Sequence, residues 1–322
     1  MSDSHRFCTR ESLACGDPLA GSAAHAERNL LLSWPSAKWQ RNLRQASDMP
    51  EEVSARLEAI AEAGRRVNLI HRRSQPSERH CLYLMPENRR YELAREELPT
   101  FLADLQQDES LARWAASHPT GPVLLCCTHG KKDKCCAKFG FAAYKALADA
   151  VDSQELPLEV WESTHLGGCR FAASAVVFPA LHKYGRITPE DAPSLLASEM
   201  AGHPYLPCYR GDSRLSPMQQ CAQVAALEWL ATRGIKGEVS VAQPTNEHES
   251  SQGWLVIRWR GGSDTGRLAV RCEPRMLRRY DTCADLDAGP PSASQVWVAT
   301  QVSVAQVENP AFMNPARATP RP

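Results

Sequence analysis

Four cysteines fall within eleven residues, in the run C-C-T-H-G-K-K-D-K-C-C at 126–136, directly behind a short apolar stretch from Pro122 to Cys127. A fifth, Cys169, closes the run H-L-G-G-C at 165–169, so five cysteines lie within 44 residues. The apolar stretch reads as a buried strand, followed by a polar turn (Thr128 to Lys134) and a helix from about Cys136 to Val151. Leu156 to Ser163 reads as a second strand, ending at the Gly167–Gly168 turn. Each cysteine element thus follows the end of a strand. If the two strands are parallel neighbours, their C-terminal loops lie side by side, where the sites of α/β sheets gather.

The chain has twelve cysteines in 322 residues, below the density of a disulfide scaffold. The other seven, Cys8, Cys15, Cys81, Cys208, Cys221, Cys272 and Cys283, are scattered. The first thirty residues mix Asp3, His5, Arg6, Arg10, Glu11 and Asp17 without an apolar block, so no secretory signal is read there. The longest near-apolar run, Ala172 to Leu181, is about half of a membrane span. We therefore expect a soluble, cytoplasmic protein with no membrane partner. In that reducing compartment clustered cysteines point to metal binding or redox chemistry rather than structural disulfides. Lys plus Arg and Asp plus Glu number 37 each, so whole-protein electrostatics gives no case for nucleic acid.

The order strand, helix, strand, glycine turn, hairpin (Val176 to Phe178 and Tyr184 to Ile187), then helices at Pro189 to Ala201 and Pro217 to Thr232, predicts an α/β fold with a thioredoxin-like core at 119–235. Residues 1–118 read as an N-terminal α+β region. It has a loose lead-in to about residue 50, a helix at Pro50 to Ala63, strands at Arg66 to His71 and His80 to Met85, and a helix from Leu98 to Ala116. Alternating segments at Glu238 to Ala242, Gly253 to Trp259, Gly266 to Cys272 and Gln295 to Val304 predict a small antiparallel β appendage at 236–310. The Pro- and Arg-rich end, 311–322, reads as disordered. No internal repeat is visible.

A two-iron, two-sulfide cluster takes four protein ligands, thiolates or imidazoles, two per iron. A loop offering two thiolates and a turn offering His165 and Cys169 supply that count, with Gly167 and Gly168 letting the backbone curl. Two rivals remain open. Zinc accepts three thiolates and an imidazole, although the CxxC knuckle usual for zinc is absent. A thiol-based redox enzyme would use a reactive Cys126/Cys127 or Cys135/Cys136 pair, though its CxxC motif is missing too.

The sequence resembles the sucrase/ferredoxin-like family, whose members carry a thioredoxin-like [2Fe–2S] ferredoxin domain. The matching residues are C-T-H-G-K-K-D-K-C-C at 127–136, V-W-E-S-T-H-L-G-G-C-R-F-A-A-S at 160–174, Y-G-R at 184–186 and Y-R-G at 209–211. D-P-L-A-G-S-A at 17–23 and the Trp39 segment match more loosely. The resemblance implies a thioredoxin-like ferredoxin core whose [2Fe–2S] cluster is held by Cys127, Cys136, His165 and Cys169, three cysteines and one histidine. Cys126 and Cys135 are the substitutes one residue away. It further implies one-electron transfer or redox sensing, with Cys127 and Cys136 on one iron and His165 and Cys169 on a more exposed one. Many relatives have histidine where this chain has Cys169; the older thioredoxin-like ferredoxins have cysteine at both of the last two positions.

Lys131, Lys132, Lys134 and Lys138 on the cluster loop offer a docking surface for an acidic redox partner protein, or form a solvated basic turn. His129 either orients a cluster thiolate or caps the following helix. Arg170 and Arg186 pair either with the cluster or with surface carboxylates. Arg210–Gly211–Asp212 is read as a chance tripeptide, and the seven arginines from Arg258 to Arg279 as solvent-facing strand positions. No GxxxxGK[ST], strand-linked GxGxxG or GxSxG occurs, and no pair of carboxylates is fixed across a sugar, so sucrase chemistry is not expected.

Overall fold

The computed structural model describes residues 6–76, 78–107, 111–242 and 253–305. The tail expected at 311–322 lies outside the described residues. The elements run α1 (Cys8–Ala14), β1 (Asn29–Ser33), α2 (Glu51–Glu62), β2 (Arg66–His71), β3 (Arg79–Met85), β4 (Arg89–Ala94), α3 (Leu98–Gln106), β5 (Ala116–Ser117), β6 (Val123–Cys127) and α4 (Phe141–Gln154). They continue with β7 (Glu159–Ser163), β8 (Ala175–Phe178), β9 (His182–Tyr184), α5 (Ala192–Met200), β10 (Tyr209–Asp212) and α6 (Pro217–Ala231). The last are β11 (Glu238–Val241), β12 (Trp254–Gly261), β13 (Asp264–Arg279), α7 (Asp285–Ala288) and β14 (Ser292–Val304).

Strands β1–β10 form one mixed sheet in the order β10-β9-β8-β6-β7-β2-β1-β3-β4-β5. Within it β6 and β7 are parallel, with α4 between them, while β8 runs antiparallel to β6 and β9 antiparallel to β8. That order, β7-β6-β8-β9, is the thioredoxin-like core expected from the sequence. The N-terminal region repeats it: β1 and β2 are parallel around α2, β3 is antiparallel to β1, and β4 antiparallel to β3. The two units meet where β2 pairs with β7, Ile70 opposite Ser163 and His71 opposite Glu162. The duplication is of topology alone. The paired first strands, NLLLS and VLLCC, share only burial on both faces, which any central strand requires.

The alternation of side chains along a strand divides the core into layers. Leu124 and Cys126 of β6 pack with Ala143, Tyr144 and Leu147 of α4 and Leu195 and Leu196 of α5. Val123, Leu125 and Cys127 face the opposite layer, with Leu31, Tyr83, Trp161 and Val176. Each such fully buried leucine contributes about 1.5–3 kcal/mol. The N-terminal unit has its own helix-facing layer, Leu30, Leu32, Val67 and Leu69 against Val53, Leu57, Phe101 and Leu102. Strands β11–β14 form a separate antiparallel sheet, whose Leu255, Ile257, Leu268 and Val270 pack on Cys221, Ala222 and Ala226 of α6.

Several elements depart from the sequence reading. The expected loose lead-in contains α1 and the central strand β1, where Leu30, Leu31 and Leu32 are all fully buried. Helix α3 stops at Gln106 rather than near Ala116, and Arg113 and Trp114 fold back so that their side chains donate to the Asp104 carboxylate, each at 2.7 Å. The hairpin's second strand is His182–Tyr184; Arg186 takes φ 55°, a left-handed conformation that ends it. Strand β13 is sixteen residues long because it pairs with both β12 and β14. The arginines at 258, 260, 267, 271, 275 and 278 are exposed, as the alternation predicts.

Candidate metal centre

Cys127 ends β6, its N–H bonded to the Ser174 carbonyl at 2.9 Å, and the Thr128 N–H to Ser163 at 3.1 Å turns the chain off the sheet. The loop closes on itself, with the N–H groups of Lys132 and Asp133 both donating to the His129 carbonyl at 3.1 Å. Cys136 opens a wide helical turn, Cys136–Gly140, which leads into α4. That turn lies directly on the cysteine strand: a Cβ on Gly140 would sit 2.0 Å from the Cys127 carbonyl oxygen. On the other side, Gly168 adopts φ +78°, and a Cβ there would meet the Arg210 guanidinium at 2.8 Å. A tight turn can therefore present Cys169 beside His165.

The structure brings together Cys127, Cys136, His165 and Cys169. The Cys169 Sγ lies 3.4 Å from His165 Nδ1. Cys127 lies near enough to Cys136 and His165, and Cys136 to Cys169, for each to shift the other's titration. The three thiols are buried and His165 is partly exposed. Their charges are shared out accordingly. The Cys136 hydrogen bond holds Cys127 well below the ordinary thiol range against the opposing effect of burial, with His165 helping. Cys169 is lowered in the same way, by Cys136 and then by His165 against burial, while Cys136 is raised by Cys127 and Cys169. Burial works against a charged His165, but its bonds to Cys127 and Cys169 prevail and push it up to about 9.

The neighbouring cysteines go elsewhere. Cys126 faces the helix layer, its Sγ 3.5 Å from the Gly140 carbonyl. Cys135 faces away from Cys136, into a second thiol group. There the sulfurs of Cys135 and Cys283 are 3.1 Å apart and Cys8 is 3.5 Å from each. Asp133 lies among them; its carboxylate accepts from the backbone N–H groups of Cys135 and Cys283, both at 2.8 Å. Asp133, Cys136 and Cys169 also lie within 4.8 Å of one another, so this aspartate stands between the two groups.

The side chain of His129 neither touches a cluster-loop thiol nor caps the helix. Its Nδ1 accepts from the His165 N–H at 3.3 Å and its Nε2 donates to the Gln40 carbonyl at 2.6 Å, which fixes the turn that carries His165. Its backbone N–H serves Cys127. The N-terminal unit supports the same turn: Asn68 Nδ2 donates to the carbonyls of Thr164 and His165, and Arg66 to the His165 carbonyl at 2.5 Å. Lys183, fully buried, donates to the carbonyls of Ala24 and Leu166 at 2.6 and 2.8 Å, beneath the glycine turn. Arg210 is buried as well, donating to Ser22 and Ser174 and lying over the Phe171 ring.

Burial, then Arg210 and Arg66, press Lys183 well below its ordinary value, and the Cys127 thiolate opposes them. Burial, then Arg170, lower Arg210 to about 9, with Arg186 adding to the effect; Asp17 and, more weakly, the Cys169 thiolate oppose them. The burial of Lys183 and Arg66 carried no signal in the sequence, since a lone Lys or Arg in a polar stretch reads as a surface residue. Arg210 belongs to the Tyr-Arg-Gly match, and its place in an Arg-Gly-Asp tripeptide is indeed incidental, because its guanidinium is buried. Arg170 pairs with Asp17 at 2.7 Å and Asp281 at 2.8 Å, and Arg186 donates to the Asp17 carbonyl and Ser12. Lys131 and Lys138 are exposed; Lys132 and Lys134 are half-buried.

Residues 19–211 match the profile of the family described as sucrase/ferredoxin-like. The chain belongs to the sucrase/ferredoxin-like family. Among solved structures it is similar to a thioredoxin-like [2Fe–2S] ferredoxin from Aquifex aeolicus, at 15% identity and a TM-score of 0.25, over 28% of this chain and 89% of that one. A second structure of the wild-type Aquifex aeolicus protein gives 15% identity and a TM-score of 0.26, over 28% and 95% of the two chains. A search of curated proteins found no match. No helix among the described residues of this sucrase/ferredoxin-like protein is long and apolar enough to cross a membrane. What the family member carries at the rim of its second unit is a buried, cysteine-rich site of the metal-binding kind.

Proposed function

We propose that this protein is a [2Fe–2S] iron–sulfur protein for one-electron transfer or redox sensing, its cluster held by Cys127, Cys136, His165 and Cys169. The observation that carries the reading is the convergence of three buried thiols on one imidazole, with Cys169 Sγ 3.4 Å from His165 Nδ1, above the buried side chains of Lys183 and Arg210. Buried cations are costly unless an anion faces them. Lys183 is opposed by Cys127, and Arg210 by Asp17 and then Cys169, so both side chains add positive potential beneath a thiolate-ligated cluster.

When bound, a [2Fe–2S] cluster supplies a one-electron couple whose potential follows its ligands, hydrogen bonds and exposure. The chain's part is to set those terms. The backbone N–H of His129 donates to Cys127. Positive charge at Lys183 and Arg210 favours the reduced state, and one imidazole in place of a thiolate raises the potential relative to an all-cysteine site. His165, partly exposed, is the member of the set able to exchange a proton with solvent at its outer nitrogen. Lys131, Lys132, Lys134 and Lys138 border the loop and suit an acidic redox partner protein. We place the protein in the cytoplasm.

The deciding experiment is an anaerobic purification followed by a visible spectrum and iron, sulfide and zinc counts. About two irons and two sulfides per chain, bleaching with dithionite, are expected. His165→Ala should give a labile or spectrally altered cluster. A chain that stays colourless after reconstitution, or a spectrum unchanged by His165→Ala, overturns the reading or its ligand set respectively.

A further inference from the structure

We propose that Cys8, Cys135 and Cys283, with Asp133 as fourth donor, form a second metal site, a mononuclear tetrahedral zinc site that fastens helix α1 and the link between β13 and α7 to the cysteine loop. The proposed donors are other residues than the four assigned to iron, and Asp133 borders both groups, its carboxylate lying within 4.8 Å of the Cys136 and Cys169 sulfurs.

The three sulfurs form a compact triangle with edges of 3.1, 3.5 and 3.5 Å. Around a metal with bonds of about 2.3 Å to sulfur and 2.0–2.2 Å to oxygen, tetrahedral edges are roughly 3.6–3.8 Å. The Cys8 sulfur lies 4.0 Å from Asp133 Oδ2, and all four donor atoms fall within 4.8 Å of one another. All four residues are buried. A small outward shift of the donors makes room for one ion, and two irons with two sulfides need more.

The donor chemistry narrows the ion further. Three thiolates exclude magnesium and calcium, which take oxygen ligands. Soft copper(I) gains little from a carboxylate, whereas zinc takes Cys, His and Asp ligands in closed tetrahedral sites. The carboxylate is held for the task. Its Oδ1 accepts from the Cys135 N–H and its Oδ2 from the Cys283 N–H, the outer-shell fixing that metal ligands ordinarily show. A divalent cation bound there lets the thiols give up their protons.

The placement explains a folding problem. Helix α1 has only seven residues, Cys283 lies in the link between β13 and α7, and the two are 275 residues apart in sequence. Neither segment has a core of its own; Phe7, Cys8, Cys283 and Leu286 join the layer around Cys127. A metal shared by both segments and by Cys135 anchors them beside the loop that carries Cys136.

The test is metal analysis of the full-length chain purified anaerobically, with X-ray absorption at the zinc edge. We expect about one zinc per chain, bound by three sulfurs and one oxygen. Cys283→Ser and Cys8→Ser should each cut zinc content by tenfold or more while iron, sulfide and the visible spectrum persist. His165→Ala should leave zinc in place. If the serine variants do not fold, the absorption spectrum of the wild-type zinc decides alone. A zinc-free wild type with three reactive thiols, or with a Cys135–Cys283 disulfide, overturns the proposal. So does imidazole scattering from zinc that is lost in His165→Ala, an outcome that also refutes the iron reading. Loss of iron in Cys283→Ser would reassign these thiols to the iron site.

Discussion

Cys126 and Cys127 are neighbours on β6 yet face opposite layers, Cys126 toward the Gly140 carbonyl and Cys127 toward Cys136 and His165. One residue of register separates a core thiol from a proposed ligand. Cys126→Ala should retain iron and sulfide at wild-type levels and cost about 1 kcal/mol of stability. Cys127→Ser should lower iron content by roughly tenfold or more. Metal counts beside a denaturant titration check both, and equal iron loss in the two variants would contradict the assignment.

Gly140 lets the Cys136 turn rest on the Cys127 carbonyl. Gly140→Ala places a Cβ 2.0 Å from that oxygen, so the turn must move. Overpacking of this kind costs about 1–3 kcal/mol. Because the movement separates Cys136 from Cys127, we expect reduced iron content as well as a lower thermal midpoint. A variant that binds iron normally would show that the turn has slack.

Lys183 tests the electrostatic part. Lys183→Met removes a buried positive charge beneath the glycine turn and leaves the Ala24 and Leu166 carbonyls without their donor, costing about 1–3 kcal/mol. Removing a cation disfavours the reduced state, so the midpoint potential should fall; a fall of about 59 mV is a tenfold change for one electron. Potentiometric titration reads it. An unchanged potential would place Lys183 outside the cluster's field.

His80 gives a pH dependence. It stacks on Trp34 at 4.5 Å, and its Nδ1 donates to the Ser33 carbonyl at 2.6 Å. Burial lowers its pKa below 6.5, against the hydrogen bond to Ser33; Arg95 also lowers it and Asp48 raises it. A base with a depressed folded pKa is stabilising when neutral. Its contribution is present above pH 6.5 and lost as pH falls through the lower folded value. The thermal midpoint should drop on acidification from pH 7 toward 5, and His80→Gln should flatten part of that slope. An unchanged slope would place the proton uptake on other histidines, such as His25, which burial also lowers.

Much of the second unit was legible because its signals are local. The strand, the polar loop, the helix and the Gly-Gly turn follow one another, and each announces itself through run length, turn residues and periodicity. The candidate ligands Cys127, Cys136, His165 and Cys169 all sit on those elements. The first unit was less legible. Strand β1 is a five-residue run inside a polar, Pro-containing lead-in, and its burial comes from β2 and β3 on either side. Its identity as a central strand is a property of its neighbours.

By itself, then, the sequence determined the cysteine-loop motif and the order of strand, loop, helix and glycine turn that carries it, and its resemblance to the family implied the four candidate ligands. Only the tertiary structure decided which member of each cysteine pair faces which group, because that depends on which side of the sheet the helices cover. It also decided that Cys8 and Cys283 meet Cys135, and that Lys183 and Arg210 are buried beneath the turn. Sequence pattern reports the period of an element. Convergence of side chains from distant segments arises from the packing of whole elements, which no local period records.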